Sequence, residues 1–152
     1  MKNILSFLNK ENKALLSTYN AGLLQGKAYR VLNSQLTTTL EPFDISITEW
    51  KILGQLYDNE KLQLNEIAKI LEVEPPLITK LVDRMEKKKL VHRVTDSGDK
   101  RVKTVSITQE GKALIPVIER KVKACLKTVL HGVSLNDLLV YAKVLKAIVE
   151  NN

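Results

Sequence analysis

The chain has 152 residues, 44% of them hydrophobic, which suffices for one compact domain with an extended oligomerisation element but not for two large domains. Sparse glycine, proline and aromatic residues are typical of a mainly helical protein. The single cysteine, Cys125, excludes an intrachain disulfide. No apolar run reaches the ~18 residues of a membrane span and no secretory signal is evident, so we expect a cytoplasmic protein with no membrane partner.

The net charge is +7, and the positive charge is concentrated in one segment. Between Pro75 and Lys103, nine Lys and Arg residues oppose four acidic residues. Between Thr48 and Glu74, three Lys residues oppose six acidic residues. A basic patch confined to one segment is typical of a protein that binds a polyanion such as a nucleic acid.

The first predicted element is a long amphipathic helix over residues 11–40, with apolar residues at three- and four-residue steps and Pro42 marking its end. A second helix is predicted from "ITEWKILGQLY", with Thr48 as its N-cap and Glu49 in its first turn. After the polar segment "DNEK", the pattern of "LQLNEIAKILEV" predicts a short helix of about two turns.

A longer helix is predicted from "PPLITKLVDRMEKKKL", because Pro75 or Pro76 suits a first turn, where no backbone N–H is needed. Its opposite face is basic. Two helices joined by a three-residue turn, the second of them basic on its outer face, predict a helix-turn-helix. The expected buried stripe of this second helix consists of Leu77, Ile78, Leu81, Val82 and Met85.

The segment "LVHRVTDSGDKRVKTVSIT" changes to strand periodicity around "DSGD", which predicts a β-hairpin. Thr108 is the predicted N-cap of the next helix, in which Pro116 should produce a kink. Gly132 should end that helix, and Ser134 with Asp137 resembles a capping box that begins the last one. The predicted fold class is therefore mainly α with a small β-hairpin, an α+β fold.

The order of these elements resembles the MarR family of winged helix-turn-helix transcriptional regulators over nearly the whole chain. The specific match is "LITKLVDRMEKKKLVHRVTDSGDKRVKTVSITQEG", which is similar to the family's recognition helix, wing and following helix cap. The resemblance implies one domain over residues 1–152, with dimerisation helices in 1–40 and 112–152. It places a DNA-binding lobe at 45–111, with the helix-turn-helix at about 64–88 and the wing at about 90–107.

Three positions depart from the family pattern. The family usually has glycine at the positions of Glu72 and Lys89, in the turn of the helix-turn-helix and at the end of the recognition helix. If either residue must adopt a positive φ, its side chain costs roughly 1 kcal/mol there. Glu74 falls at the N-cap of the recognition helix, where Ser or Asp is more usual.

Lys80 and Arg84 are four residues apart on one helix face, so both are placed to meet phosphates or base edges of a major groove. The alternative is a solvated charged face. Because the first turn is poor in hydrogen-bonding side chains, we expect readout there to rest on thymine methyl groups and DNA shape. The predicted DNA-binding residues are Pro76, Leu77, Thr79, Lys80, Arg84, Arg93, Lys100, Arg101 and Lys103.

In the resemblance the hairpin is a wing. Gly98 then permits the tight turn, Asp99 orients basic side chains, and Arg101 reaches a minor groove or its phosphates. For Asp96 and Gly98 an ordinary exposed turn is the alternative. The three lysines at 87–89 are ambiguous, because cations at a helix C-terminus are favourable without any ligand.

Apolar stripes at both chain ends are too large for a monomer of this plan to bury, and such stripes usually mark a subunit interface. The resemblance implies a homodimer through the terminal helices, with two recognition helices about one DNA turn apart, ~34 Å. The predicted interface residues are Leu8, Leu15, Tyr19, Leu138, Ala142, Leu145 and Val149.

Family members have a ligand cleft between their dimerisation and DNA-binding parts. Tyr29, Trp50 and Tyr57 either line such a cleft here or belong to the core. The resemblance implies a small-molecule effector, for example a phenolic one. Cys125 shares a helix face with Ile118 and other apolar residues, which predicts a small buried core residue.

We therefore expect a sequence-specific regulator that binds double-stranded DNA as a homodimer on a pseudo-palindromic operator, a repressor whose DNA affinity responds to an effector. The alternative is a winged-helix adaptor that meets an acidic protein partner without specific DNA readout. The sequence shows no nucleophile–base pair, Gly-rich phosphate loop or metal-ligand spacing, so we expect no enzyme, metal or cofactor.

Overall fold

The computed structural model describes residues 17–95 and 103–151, and the predicted fold class is confirmed there. No helix in these two ranges is long and apolar enough to cross a membrane. The elements are α1 (Thr18–Leu40), a 3-10 turn (Glu41–Phe43), α2 (Ile47–Asn59), β1 (Lys61–Gln63), α3 (Leu64–Leu71), α4 (Pro75–Lys87), β2 (Val91–Thr95), β3 (Lys103–Ile107), α5 (Gln109–Val129) and α6 (Leu135–Glu150).

The first helix, α1, ends where Pro42 predicts. A 3-10 turn follows it, and Asp44 then adopts a left-handed conformation (φ 53°, ψ 40°) that turns the chain towards α2. Within the described residues α1 begins after Ser17, whose hydroxyl accepts a hydrogen bond from the Asn20 amide. The α1 helix packs against α5, and α5 in turn contacts α2.

The N-cap of α2 is Ser46, so the prediction of Thr48 was wrong. The Ser46 hydroxyl accepts from the Glu49 amide at 3.2 Å, and the Glu49 carboxylate accepts from the Ser46 amide at 2.7 Å. These two bonds form a capping box, and the sequence contains its S-x-x-E pattern at this point. Glu49 is therefore the third residue of α2.

The sheet has three antiparallel strands in the order β1, β3, β2, one more than the predicted hairpin. Leu62 of β1 pairs with Val105, and the Ser106 hydroxyl donates to the Glu60 carbonyl at 2.8 Å. The start of "LQLNEIAKILEV" was predicted to be helical, but residues 61–63 are this third strand. A three-residue strand has too few positions to show a period, and only its partner strand stabilises it.

The helix-turn-helix consists of α3 and α4, joined by three residues as predicted. Glu74 is the N-cap of α4 and its side chain forms no capping hydrogen bond. Ile78, Val82 and Met85 are buried as expected. Leu77, however, is 43% exposed, so the predicted buried stripe was wrong at its first position.

The core of the molecule lies among α2, α3, α4, the sheet and the first two thirds of α5. Its fully buried side chains include Ile52 and Leu56 of α2, Ile67 of α3, Ile78 of α4 and Ile118 of α5. Within the lobe α4 contacts α2, α3 and β2, so its orientation is fixed by packing against three elements rather than by its own turn alone.

The junction between the sheet and α5 is tightly packed. Thr108 is the N-cap of α5 as predicted, and its hydroxyl accepts from the Gly111 amide at 3.0 Å. A Cβ atom at Gly111 would overlap the carbonyl oxygen of Leu90. This close approach explains why glycine stands there.

The α5 helix continues through Pro116 to Val129, and Gly132 adopts a positive φ of 83° in the turn that follows. Ser134 is the N-cap of α6 and accepts from the Asp137 amide at 3.1 Å. Cys125 is half-buried, so the prediction of a buried core residue was wrong. It lies in the last turns of α5, beyond the buried Val122.

Glu72 and Lys89 both adopt the left-handed conformation, with φ of 52° and 60°. We predict that Glu72→Gly and Lys89→Gly each raise the free energy of unfolding by about 0.5–1 kcal/mol, because glycine removes the steric cost of a Cβ at positive φ. Urea unfolding would measure the change.

Lys69→Gly is the matched control. Lys69 is an exposed residue inside α3, three residues before Glu72, and it has no positive φ. Glycine there should lower the stability by about 1 kcal/mol. Loss of stability in all three variants would contradict the prediction.

Candidate nucleic-acid interface

The first turn of α4 presents a mostly apolar surface to solvent. Pro76 is exposed, and Leu77 keeps 43% of its surface exposed. The Thr79 hydroxyl donates to the Pro75 carbonyl at 3.2 Å, so its one proton is already used within the helix. The predicted DNA-facing residues of this turn therefore lie on the surface and offer methyl and ring carbons more than hydrogen-bond donors.

Lys80 is exposed on the same face, one turn from Pro76. Within residues 17–95 and 103–151, no carboxylate lies within ion-pair distance of its ammonium group. A lysine without an internal partner keeps its full charge available to a ligand.

Arg84, one turn further along α4, is placed differently. Its guanidinium donates to the Asp44 carboxylate at 2.8 Å, and its Nε lies 3.4 Å from Oε1 of Glu49. Lys88 approaches the same two acids, with its ammonium 3.1 Å from the Asp44 carboxylate and 3.6 Å from Glu49 Oε1. Two cations, Arg84 in α4 and Lys88 at its C-cap, thus meet two carboxylates. Asp44 lies just before α2 and Glu49 lies in its first turn. We call these four side chains the Glu49 cluster.

The two acids of the Glu49 cluster differ in burial. The Glu49 side chain is 0% exposed, and its Oε1 accepts no hydrogen bond, so only the two cations compensate its charge. Asp44 is exposed, and the Lys88 ammonium followed by the Arg84 guanidinium lowers the pKa of its carboxyl group. Removal of either cation would leave a buried carboxylate poorly compensated.

Arg93 joins the wing to α4. Its guanidinium pairs with the carboxylates of Asp83 and Glu86, and its backbone amide donates to Glu86 at 2.7 Å. Arg93 lies in β2 and both acids lie in α4. The ion pairs therefore fix the angle between the first wing strand and the recognition helix.

Arg84 and Arg93 were predicted to bind DNA, but the acids that hold them were not predicted. Glu49 was assigned only to the first turn of a helix, and Asp44 was not singled out. The S-x-x-E pattern was the available signal for Glu49, but no local pattern connects residue 44 or 49 with residue 84. That connection depends on the packing of α2 against α4.

The tip of the predicted wing is not part of the described structure. Gly98, Asp99, Lys100 and Arg101 lie outside the described residues. Lys103 is described only in its backbone, which pairs with Thr95 in the β2–β3 ladder. The two strands that flank these residues are present as predicted, and β2 packs against α4.

The predicted dimerisation residues that are described are mostly unburied. Tyr19 of α1 is 74% exposed, and on α6 Leu145 is 39% and Val149 68% exposed. Ala142 is also exposed and Leu138 is half-buried. Leu8 and Leu15 lie outside the described residues. The α6 helix has no buried residue at all in the single chain.

The three aromatic residues proposed for one ligand cleft line three different hollows. Trp50 lines a hollow of about 420 Å³ beside α2, α3 and α5. Tyr57 lines one of about 410 Å³ with Pro116 of α5, and Tyr29 lines one of about 490 Å³ with Tyr141 of α6. Glu119 borders the first two hollows, and its carboxylate accepts from the Trp50 indole N–H at 3.2 Å.

No group of three or more His, Cys, Asp or Glu side chains able to hold a metal ion occurs in the two described ranges. The exposed first turns of α4, with the unpaired Lys80, and the β2 strand paired to α4 through Arg93 are the features that distinguish this surface. We call the exposed side chains of Pro76, Leu77 and Lys80 the α4 outer face.

The MarR family model matches residues 45–103, which span α2 to the start of β3. The fold is similar to that of a mutant MarR of E. coli complexed with operator DNA, at TM-score 0.76 and 22% identity over 87% of this chain and 98% of that one. It is similar to S. aureus MepR in a DNA complex, at TM-score 0.75 and 25% identity over 86% and 97% of the two chains.

A third structure with this fold is that of Bordetella bronchiseptica BpsR, from work on the regulation of its DNA binding by 6-hydroxynicotinic acid. It matches at TM-score 0.77 and 17% identity, over 88% of this chain and 94% of that one. The family resemblance drawn from residues 77–111 is therefore confirmed by the family model and by the fold.

The Glu49 cluster gives a stability prediction. Glu49→Gln keeps an oxygen that can accept from the Ser46 amide but removes the buried negative charge between Arg84 and Lys88. We expect it to lower the free energy of unfolding by about 1–3 kcal/mol, measured by urea unfolding.

Glu66→Gln is the control, because Glu66 accepts from the Gln63 amide at 2.7 Å in an equivalent capping box but is exposed. Its loss should stay within about 0.5 kcal/mol. Equal losses in both variants would show that the cap, and not the charge, accounts for the effect.

Proposed function

We propose, on the premise that the MarR family model matches residues 45–103, that the protein is a MarR-family transcriptional regulator that binds double-stranded DNA as a homodimer. The α4 helix enters the major groove, and the wing meets the flanking backbone or minor groove. The protein represses by occupying a pseudo-palindromic operator, it works in the cytoplasm, and it acts without catalysis or a cofactor.

The observation that carries the proposal is the division of cations on α4. Arg84 and Lys88 are engaged in the Glu49 cluster, and Arg93 pairs with acids of α4, whereas Lys80 forms no ion pair within the described part of the chain. The inward cations hold the helix in one orientation. The α4 outer face is thereby preorganised for a groove, which lowers the cost of ordering on binding.

Arg84 and Arg93 remain predicted DNA-binding residues, but a DNA contact would weaken the ion pair that each of them forms within the chain. Their side chains are 49% and 30% exposed, so each can approach a phosphate from the edge of its ion pair. Giving up the ion pair altogether would uncouple α4 from α2 or from the wing. Lys80, Leu77 and Pro76 are therefore the first candidates for contact with the groove. The two arginines act mainly by positioning the helix.

The homodimer rests on α6. Along this helix the apolar residues Leu135, Leu139, Val140, Tyr141, Val144, Ile148 and Val149 are at least half exposed in the single chain. They cover most of the circumference of the helix and leave one polar strip, with Lys143, Lys146 and Glu150. A helix with so wide an apolar face is stable in water only when other elements enclose that face. A second copy, packed against α6 and the exposed Tyr19 and Leu23 of α1, supplies that enclosure.

An effector would act by a population shift, since it must bind one spacing of the two recognition helices better than another. BpsR, whose DNA binding is regulated by 6-hydroxynicotinic acid, has this fold. For the present chain the effector site is proposed at the contact between the DNA-binding lobe and α5, where the hollows that Trp50 and Tyr57 line are found.

The first test is selection of binders from a random duplex DNA library with the purified protein at near-physiological salt. We expect a pseudo-palindrome with half-sites centred about one helical turn apart, ~34 Å, because a twofold dimer presents two α4 helices. Retention of DNA without any motif would indicate charge-driven binding only and would favour an adaptor with an acidic protein partner.

On the selected operator, Lys80→Ala should weaken binding by about tenfold or more and reduce the slope of log affinity against log salt by about one if Lys80 meets a phosphate. Arg101→Ala should do the same at the wing. Lys121→Ala removes an equal charge from an exposed position on α5 and should leave the slope unchanged. If all three variants show the same slope of log affinity against log salt as the unaltered protein, Lys80 and Arg101 do not contact DNA phosphates.

A further inference from the structure

The hollow beside Trp50 has a chemical character that the fold alone does not specify. It is lined by α2 residues Trp50, Lys51, Gly54, Gln55 and Asp58, by Ile70, Leu71 and Glu72 at the end of α3, and by Glu119 of α5. We infer that this Trp50 hollow binds an organic cation with an apolar body, and that such a cation is the class of effector to which the protein responds. The inference rests on the proposed function, whose effector it specifies.

The size and floor of the Trp50 hollow suit a small organic molecule. Its volume of about 420 Å³ falls within the range of about 300–1,000 Å³ found for ligand sites. Its apolar surface comes from the Trp50 ring, from Leu71 and from Ile70, which is 48% exposed. A Cβ added at Gly54 would meet no atom within 4 Å, so the glycine leaves open space in this wall.

The charges around the hollow select the ligand class. Three carboxylates, those of Asp58, Glu72 and Glu119, face one ammonium group, that of Lys51. In the described ranges none of these three acids forms an ion pair, so their charge is not neutralised within the chain. An indole ring beside such carboxylates attracts a cation through its π face as well as through the acids.

Two features hold the site in shape. The Trp50 indole N–H donates to Glu119 Oε1 at 3.2 Å, which fixes the ring against α5 and leaves the second carboxylate oxygen of Glu119 without a hydrogen bond in the described structure. Glu72 is held in the left-handed conformation at the C-cap of α3, where its amide donates to Lys69 and Ala68 carbonyls. The Glu119 carboxylate and the backbone of Glu72 therefore occupy defined positions before a ligand arrives.

The other two hollows are weaker candidates for a cation. The hollow beside Tyr57 is lined by two cations, Arg120 and Lys123, and by one acid, Glu119. Its net positive charge would repel a cationic ligand. The hollow beside Tyr29 has no acidic residue in its lining and borders Tyr141 and Leu145 of α6, in the region proposed to be covered by the second copy. A phenolic effector, which the family resemblance implied, would meet net repulsion in the Trp50 hollow once ionised to the phenolate.

A ligand in this hollow would touch three elements that are connected to α4. The α2 helix carries Glu49, the end of α3 leads through three residues into α4, and α5 continues towards α6. Binding that favours one relative position of these helices changes the position of α4 in the dimer. DNA affinity then changes by the ratio of the ligand affinities for the two positions.

Trp50 provides the measurement, because it is the only tryptophan in the chain. Three probes with the same ring differ in charge: benzyltrimethylammonium, benzyl alcohol and benzoate. Titration of the DNA-free dimer, with Trp50 excited selectively and ionic strength matched, should give saturable binding of the cation. The alcohol and benzoate should bind at least about tenfold more weakly. Equal affinity for all three probes, or no saturable change with any, would overturn the inference.

Charge variants test the carboxylates in opposite directions. Glu119→Gln should weaken binding of the ammonium probe by about three- to tenfold, and Lys51→Gln should strengthen it by a similar factor. Glu110→Gln, at an exposed position of α5 outside the lining, is the control and should bind as the unaltered protein does. Lys51→Gln is expected to gain affinity for the ammonium probe, and misfolding cannot produce a gain. Loss of folding in Glu119→Gln therefore cannot explain both results. No change in either variant would contradict the assignment.

Gly54 offers a steric test. Gly54→Leu extends a side chain into the open space and should abolish binding of the ammonium probe, while Gly54→Ala should retain it within about threefold because one methyl group fills little of about 420 Å³. Both replacements improve helix propensity, so the thermal midpoint should not fall. Retained binding in Gly54→Leu would place the probe elsewhere.

Operator affinity separates this inference from the proposed function. Operator binding without any probe tests the proposed function alone. Suppose that the unaltered protein binds its operator, and that the ammonium probe shifts this affinity at least threefold in the unaltered protein but not in Gly54→Leu. The regulator proposal and the effector role of the Trp50 hollow are then both supported. If the operator binds and the probe leaves its affinity unchanged, the effector role of the hollow is overturned while the regulator proposal stands.

Discussion

The position of the recognition helix depends on one carboxylate that is shielded from water. Glu49 closes the capping box of α2 with one oxygen and presents the other to Arg84 and Lys88 of α4. An ionised side chain with 0% exposure is tolerated only beside opposite charge, so α4 cannot rotate or slide without leaving that charge uncompensated. The same residue therefore starts one helix and positions another.

This constraint assigns different tasks to the cations of the basic segment. Charge counting treats all nine Lys and Arg residues from Pro75 to Lys103 as one patch, but the structure divides them. Arg84, Lys88 and Arg93 meet acids within the chain, whereas Lys80 faces solvent. The ion pairs that hold α4 and its proposed DNA contact at Lys80 are thus separated by one helical turn. The internal pairs also tie the wing strand β2 to α4, so wing and helix form one rigid unit.

The acidic segment from Thr48 to Glu74 is likewise divided. Glu49 points inward, whereas Asp58 and Glu72 border the Trp50 hollow together with Glu119 of α5. These acidic residues lie away from the α4 outer face, so they would not repel a phosphate bound there. They surround the Trp50 indole ring instead. A cation in this hollow and a polyanion on α4 would each neutralise a different charged region of the same lobe.

Local sequence signals determined much of the architecture. The helix-turn-helix, the two wing strands and the caps at Thr108 and Ser134 follow from periodicity and capping chemistry, which act over a few residues. The strained backbone at Glu72 and Lys89 was also foreseen, since the family pattern has glycine there. Candidate DNA-binding residues could be named because a basic helix face is visible in one short segment.

The tertiary structure decided what depends on distant residues. The strand at residues 61–63 exists only because β3 pairs with it, and Leu77 is exposed because no described residue packs over the first turn of α4. Whether an arginine faces solvent or an acid depends on a partner 40 residues away, as for Arg84 with Asp44. Periodicity fixes which face of a helix a side chain occupies, but its ion pairs depend on which other helix packs against that face.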